Sequence, residues 1–359
     1  TVRPQGMGFV TGRRNLIING AMQVAQRGTD IDGVANGGFC TDRFKMRIAN
    51  TDNLVLNLDQ STDTPDGYPN SLKLSVGTVE SAIAADEFLQ FGQVIEGQNL
   101  QHLKWGTSDA ETLSLSFWVK SSVTGTYAIA VFQADGSSSP DRRYYSKTYT
   151  ISSANTWEYK TLTISPNTDD AIANDNTEGL RINWTLSTGS KYTSGSNDVW
   201  GSQTNWSVGH NASWITTSSA TFFLTGVQLE VGENASDFEH RSFGEELALC
   251  HRYYQKSYAD GTAVGTVTST GCNMDAVLST GNTWRHTHSF PKAMRATPTQ
   301  TFYVPETGTS GNGGFEGAGD TGKETISVAF ATNKSSVYYN TAMDRTGYFM
   351  WHYELDAEL

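Results

Sequence analysis

The stretch Leu113-Ser114-Leu115-Ser116-Phe117-Trp118-Val119 constrains this chain more than any other feature. Side chains alternate across a β-strand, so Leu113, Leu115, Phe117 and Val119 share one apolar face while hydroxyls occupy the other. Leu180, Ile182, Trp184 and Leu186 repeat the pattern with the same period of two. Similar β-branched and aromatic runs at 44–48, 54–58, 71–76, 112–119, 127–133, 144–151, 158–164, 180–186 and 221–229 stand between turn-forming residues. Many short strands with one apolar face each bury those faces by packing two sheets together, so the pattern predicts an all-β sandwich ahead of a closed barrel.

One segment, SFGEELALCHRYYQKSY, departs from that period. Phe243, Leu247, Cys250 and Tyr254 follow one another at spacings of 4, 3 and 4, which places them on one helical stripe. Ser242 and Glu245 have capping-box spacing, and the early Glu245 and Glu246 against the late Arg252 and Lys256 suit the helix dipole. A connecting helix over 242–258 is expected. Its stripe either docks on a sheet or meets copies of itself, which makes Phe243, Leu247, Cys250 and Tyr254 candidates for an oligomer interface. Beyond it, strand patterns at 262–267, 283–289, 299–304, 325–331 and 345–353 predict a smaller β domain. The stretch 308–322 holds seven glycines and little apolar matter, and is expected to be a mobile loop.

Charge excludes one class of partner. The net charge is −12, whereas phosphate neutralisation needs a basic footprint, so nucleic acid is not an expected partner. Charged residues are 17% of the chain against a usual ~25%, which leaves a surface built for hydrogen bonding. Cys40, Cys250 and Cys272 are too few and scattered for a disulfide framework. No apolar run is long enough to span a bilayer, so membrane insertion is not expected, and the polar start TVRPQGMGFVTGRR lacks a signal-peptide apolar region.

NLIINGAMQVAQRGT followed by CTDRF, the Phe117-Trp118-Val119-Lys120-Ser121 strand and FFLTGVQLEVG resemble the jelly-roll carbohydrate-binding modules. ASDFEHRSFGEELALCHRYYQKSY, FPKAMRATPT and ELDAEL are similar to carboxy-terminal parts of tailed-bacteriophage tail fibres and related virion appendages. Together the two resemblances cover residues 14–359. They imply a leader at 1–14 that attaches to other virion proteins, a jelly-roll β-sandwich at 15–241, the connecting helix at 242–258 and a C-terminal β domain at 259–359. The protein they imply is made in the bacterial host cytoplasm, sits on the exterior of the particle as a homotrimer, and as a short tail fibre binds bacterial surface polysaccharide. The alternative is a decoration or cementing protein of capsid or tail. Such modules often hold a structural calcium, but Gln23, Thr225 and Gly226 stand here where acidic ligands are expected, which makes a calcium site weak or absent.

The sequence carries none of the common hydrolase, phosphate-loop or zinc signatures, and no enzymatic activity is expected. Asp169 and Asp170 are neighbours, but a glycosidase needs two carboxyls facing each other across a cleft. Trp200, Trp206 and Trp214, with Tyr192, lie among Ser, Thr, Gly and Asn and are candidates for a glycan platform, because sugar rings stack on aromatics and bond amides at their rim. Trp184 in the same region reads as core. His286 and His288 point to one face of a strand, and three copies around an axis would offer six nitrogens, an arrangement that resembles iron sites in some phage fibres. A solvated or hydroxyl-bonded pair is the alternative.

Overall fold

The computed structural model describes residues 13–39, 41–49, 51, 53–135, 143–201 and 206–359. Of the expected leader, only Arg13 and Arg14 fall within them, and Cys40 lies outside. Among the described residues the first unit contains β1 (Asp30–Ile31), β2 (Lys45–Ala49), β3 (Val55–Ser61), β4 (Ser71–Thr78), β5 (Phe88–Glu96), β6 (Leu113–Ser121), β7 (Gly125–Gln133), β8 (Arg143–Ile151), β9 (Glu158–Ile164), β10 (Glu178–Thr188) and β11 (Thr221–Val231). They form two antiparallel sheets, a six-stranded one in the order β1-β3-β4-β11-β6-β9 and a five-stranded one in the order β2-β5-β10-β7-β8. This is a jelly-roll β-sandwich.

Alternation decides which side of each strand enters the core. On β10, Leu180, Ile182, Trp184 and Leu186 are fully enclosed between the sheets. Trp184 stacks on Phe91 at 5.8 Å and meets Phe117 of the opposite sheet edge-on at 5.5 Å, so one indole joins both layers. The intervening Arg181, Asn183 and Thr185 therefore face outward from the five-stranded sheet.

The helix is shorter than its stripe predicts. Helix α1 (Phe243–Cys250) starts with the expected capping box, Ser242 and Glu245 each satisfying the other's backbone N–H. It stops before Tyr254, which begins β12 (Tyr254–Lys256). Three bonds to Glu96 draw the chain away: Arg252 donates to the carboxylate at 2.7 and 2.6 Å, and the Tyr253 hydroxyl at 2.6 Å. The proposed interface stripe is thereby broken up. Cys250 and Tyr254 are enclosed within the chain's own packing, Leu247 is half-buried and Phe243 is exposed, so the four do not present one face to a neighbouring copy.

The second unit contains β13 (Asn273–Val277), β14 (Trp284–Ser289), β15 (Thr299–Tyr303), β16 (Asn312–Phe315), β17 (Lys323–Thr325), β18 (Ser327–Ala329), β19 (Ser335–Asn340) and β20 (Gly347–Asp356). Strand β20 pairs with β12, β13, β15 and β16, and the sheet β14-β19-β18 packs over it around a separate core that includes Trp284, Tyr338, Phe349 and Trp351. The expected strand at 262–267 is a pair of turns, closed by Thr262 N–H to the Ala259 carbonyl and Thr266 N–H to the Ala263 carbonyl. The glycine-rich stretch also differs from expectation, since it contains β16. A Cβ on Gly313 would lie 2.4 Å from the Phe349 ring, so glycine serves close packing there. No helix among the described residues is long and apolar enough to cross a membrane.

Stacked and ion-paired arginines join the two units. The Arg43 guanidinium lies 3.3 Å from the Tyr253 ring centroid, pairs with Glu358 and donates to the Val94 carbonyl at 2.7 Å. Arg27 lies 3.6 Å over Tyr254 and pairs with Asp356 at 3.2 Å. The side chains of Arg43 and Glu358 are only 2% and 5% exposed, so removing Arg43 leaves the buried Glu358 paired, among the described residues, with Arg27 alone, at 3.5 Å. Arg43→Ala is expected to cost about 3–5 kcal/mol in urea unfolding. Replacing both partners with apolar residues, Arg43→Met with Glu358→Leu, is expected to recover much of that loss.

Candidate functional site

The outward face of the five-stranded sheet carries a cleft of about 440 Å³. Register brings its floor together. Arg47 of β2 sits opposite Gln90 of β5, and Gln90 is opposite Thr185 of β10. One step along, Asn183 lies between Gly92 and Ala130. The next outward residue of β10, Arg181, pairs with Phe132, which pairs with Tyr144 of β8. Small residues thus occupy the middle of the floor, with Phe132 and Tyr144 in contact at 4.8 Å at one end.

The segment after β10 folds back across this face and raises the other wall. Its backbone is pinned where Asp198 N–H donates to the Ser146 carbonyl at 2.9 Å and Gly201 exchanges bonds with Tyr144. Ser207 Oγ reaches Thr185 Oγ1 at 3.3 Å. This course sets Tyr192 flat against Trp206 at 4.3 Å, while Phe88 meets the two rings edge-on at 5.6 and 5.1 Å. Trp206 is largely covered, so it backs the wall while Tyr192 remains half-exposed.

Polar groups on the floor form a chain with open ends. Asn183 Nδ2 donates to Gln90 Oε1 at 3.1 Å, and Gln90 Nε2 donates to Thr185 Oγ1 at 2.9 Å. Asn183 Oδ1 and the Nε–H groups of Arg47 and Arg181 are buried without a protein partner. Burial, and then the neighbouring Arg181, hold the Arg47 guanidinium down to about 10. Aromatic walls over hydrogen-bonding amides suit a ligand with an apolar ring face and a hydroxyl rim.

Of the residues singled out in the sequence, Tyr192 and Trp206 come together at this cleft. Trp200 and Trp214 do not. Trp200 packs against Trp105 and Tyr145 at 5.2 and 5.3 Å and donates to the Ser165 carbonyl at 2.9 Å. Trp214 is fully enclosed in the sandwich core, which removes it from any surface site. Counting tryptophans missed Arg47, Gln90, Arg181 and Asn183, yet a signal was present: the polar side of the alternating run 180–186.

No protein-family model matches the chain, and no curated protein does. Solved structures similar to it include the enzymatically active domain of tailspike protein 4 of bacteriophage CBA120, at 15% identity and a TM-score of 0.31 over 56% of this chain. This chain spans 22% of that one. A family 11 carbohydrate-binding module from Clostridium thermocellum, in complex with a mixed-linked tetrasaccharide, is 7% identical with a TM-score of 0.30, over 59% of this chain and 99% of that one. A xylan-binding domain from Paenibacillus barcinonensis is 11% identical with a TM-score of 0.27, over 58% and 99%.

The metal expectations meet a different geometry. His286 and His288 do share a face of β14, but that face turns inward against β20, with His286 at 5.0 Å from Trp351 and His288 at 4.4 Å from Tyr353. His286 Nδ1 bonds Asp275 at 3.0 Å. His288 is buried and His286 half-buried, so both imidazoles already meet partners within the chain. The expected calcium positions are engaged as well: Thr225 Oγ1 donates to the Asn70 carbonyl at 2.7 Å, the Gln23 carbonyl accepts from Gln60 at 3.0 Å, and a Cβ on Gly226 would lie 2.8 Å from the Tyr68 ring. Among the described residues no three His, Cys, Asp or Glu side chains cluster to hold a metal.

Burial, and then His286, push His288 from 6.5 down to about 4, and burial likewise holds His210 of the sandwich at about 4. Unfolded imidazoles take up protons first as pH falls, so the stability these neutral rings allow above pH 6.5 is lost progressively down to about pH 4. Urea midpoints measured across that window are expected to fall less steeply in a His210→Gln, His288→Gln variant.

Proposed function

We propose that this protein is a glycan-binding adhesin on the exterior of a bacteriophage particle, a homotrimeric short tail fibre whose sandwich cleft holds host surface polysaccharide. The cleft between Tyr192 with Trp206 and Phe132 with Tyr144, floored by amide and guanidinium groups of which Asn183 Oδ1 and the Arg47 and Arg181 Nε–H lack protein partners, is the observation that carries the binding reading. The virion reading is supported by the tail-fibre resemblance of residues 235–258 and the terminal segments. Binding without cleavage is favoured because no Asp or Glu lines the cleft among the described residues. Of the adjacent acids, Asp170 is enclosed and bonded to Arg143 at 2.7 Å, leaving only Asp169 exposed.

Purified protein is expected to bind isolated host envelope polysaccharide without lowering its viscosity, and to sediment as a trimer. Tyr192→Ala removes the exposed stacking ring and is expected to weaken that binding by about 1 kcal/mol, or about fivefold in Kd, in calorimetric titration. Binding to virus particles alone would mark a cementing protein, and falling viscosity an enzyme.

A further inference from the structure

Three cations, Arg47, Arg181 and Lys191, line the cleft, in a chain whose net charge is −12. Arg181 spends Nη2 on Glu178 at 2.5 Å, which leaves its buried Nε–H without a partner. Arg47 forms no ion pair of its own among the described residues and shares only the field of the Glu178 that Arg181 holds, and its Nε–H is buried and unpaired as well. The contrast with Arg27 and Arg43, each stacked and ion-paired, is chemical: those guanidinia are paired directly inside the protein, whereas Arg47 forms no ion pair among the described residues.

Two half-buried guanidinia with one carboxylate, Glu178, between them are costly, and the amides and aromatic walls already suffice to grip a neutral sugar. The arginines add a demand for an anion. Arg presents a planar fork that matches a carboxylate, and the buried Asn183 Oδ1, an acceptor without a protein partner, calls for a ligand that also carries a hydroxyl or amide donor. A bare phosphate ion has no apolar ring to lay on Tyr192. We infer that the cleft takes an acidic saccharide, with a uronic-acid carboxylate bound by Arg47 and Arg181, its ring face on Tyr192 and a ring hydroxyl donating to Asn183. This inference rests on the cleft being a glycan site.

The test titrates the full chain with sized oligosaccharides of polygalacturonate, alginate and hyaluronan, each also after reduction of its carboxyls to neutral alcohols, with inorganic phosphate as a separate competitor. At least one acidic oligosaccharide is expected to bind, and carboxyl reduction and Arg47→Ala are each expected to weaken it at least about tenfold. Arg47→Lys, which keeps the charge and loses the fork, is expected to fall between. Thermal unfolding of Arg47→Ala should match the parent, because the side chain makes no hydrogen bond or ion pair with a described residue. Reduced oligosaccharides that bind as well as the acids, unaffected by Arg47→Ala but weakened by Tyr192→Ala, overturn the acidic ligand and leave the glycan reading standing. Binding of phosphate alone at Arg47 overturns both, as does binding of no oligosaccharide at all.

Discussion

The register of β10 is the constraint on which the rest depends. Its even-numbered residues Leu180, Ile182, Trp184 and Leu186 close the core, and on its other side Arg181 and Asn183 line the cleft while the buried Thr185 holds Gln90. A slip of one residue would exchange the two sets, placing a guanidinium in the core and an indole in water. Gly92 helps to fix the register, since a Cβ there would lie 1.9 Å from the Ile182 carbonyl oxygen. Where glycine sits opposite Asn183, β5 and β10 approach closely enough for Gln90 to bond both Asn183 and Thr185.

Arginine is used in two opposite ways within a short stretch of chain. Arg43 is neutralised by Glu358 and covered by Tyr253, so it joins the two units at small electrostatic cost. Arg47, four residues on and facing the cleft, is left with its Nε–H open. What separates them is supply of carboxylate: Asp356 and Glu358 end β20 and its tail beside Arg27 and Arg43, and the cleft floor has no Asp or Glu among the described residues. An acidic chain that sets a single carboxylate among the described residues, Glu178, against two arginines of one concave face leaves positive potential there, where low-dielectric walls strengthen it.

Much of the sandwich was legible because alternation reports directly on burial. The run 113–119 became β6 and the run 180–186 became the middle of β10, with the faces assigned as expected. Strand β5 was not legible. In Phe88-Leu89-Gln90-Phe91-Gly92-Gln93-Val94-Ile95 the glycine imitates a turn, and the strand is buried on both faces from Leu89 on, so no exposed side marks the period. The helical stripe failed for another reason: a spacing of 4, 3 and 4 is local, whereas the pull of Glu96 on Arg252 and Tyr253 acts across 156 and 157 residues of sequence.

The candidate site shows the same division. Tryptophan content drew attention to 200–214, yet an indole in a long loop is as apt to anchor the loop as to meet a ligand, and Trp200 and Trp214 anchor. Tyr192 and Trp206 reach the cleft only because the loop crosses the sheet, a path set by backbone bonds to Tyr144 and Ser146 that no local pattern encodes. The floor was the readable part. Once 180–186 is read as a strand with an apolar side, its other side must face something, and Arg, Asn and Thr in succession there are costly to bury dry. Beside a strand β7 whose outward residues are small or aromatic, such a polar row reads as a surface waiting for a partner, and this test of the second face finds Arg181 and Asn183 without appeal to residue counts.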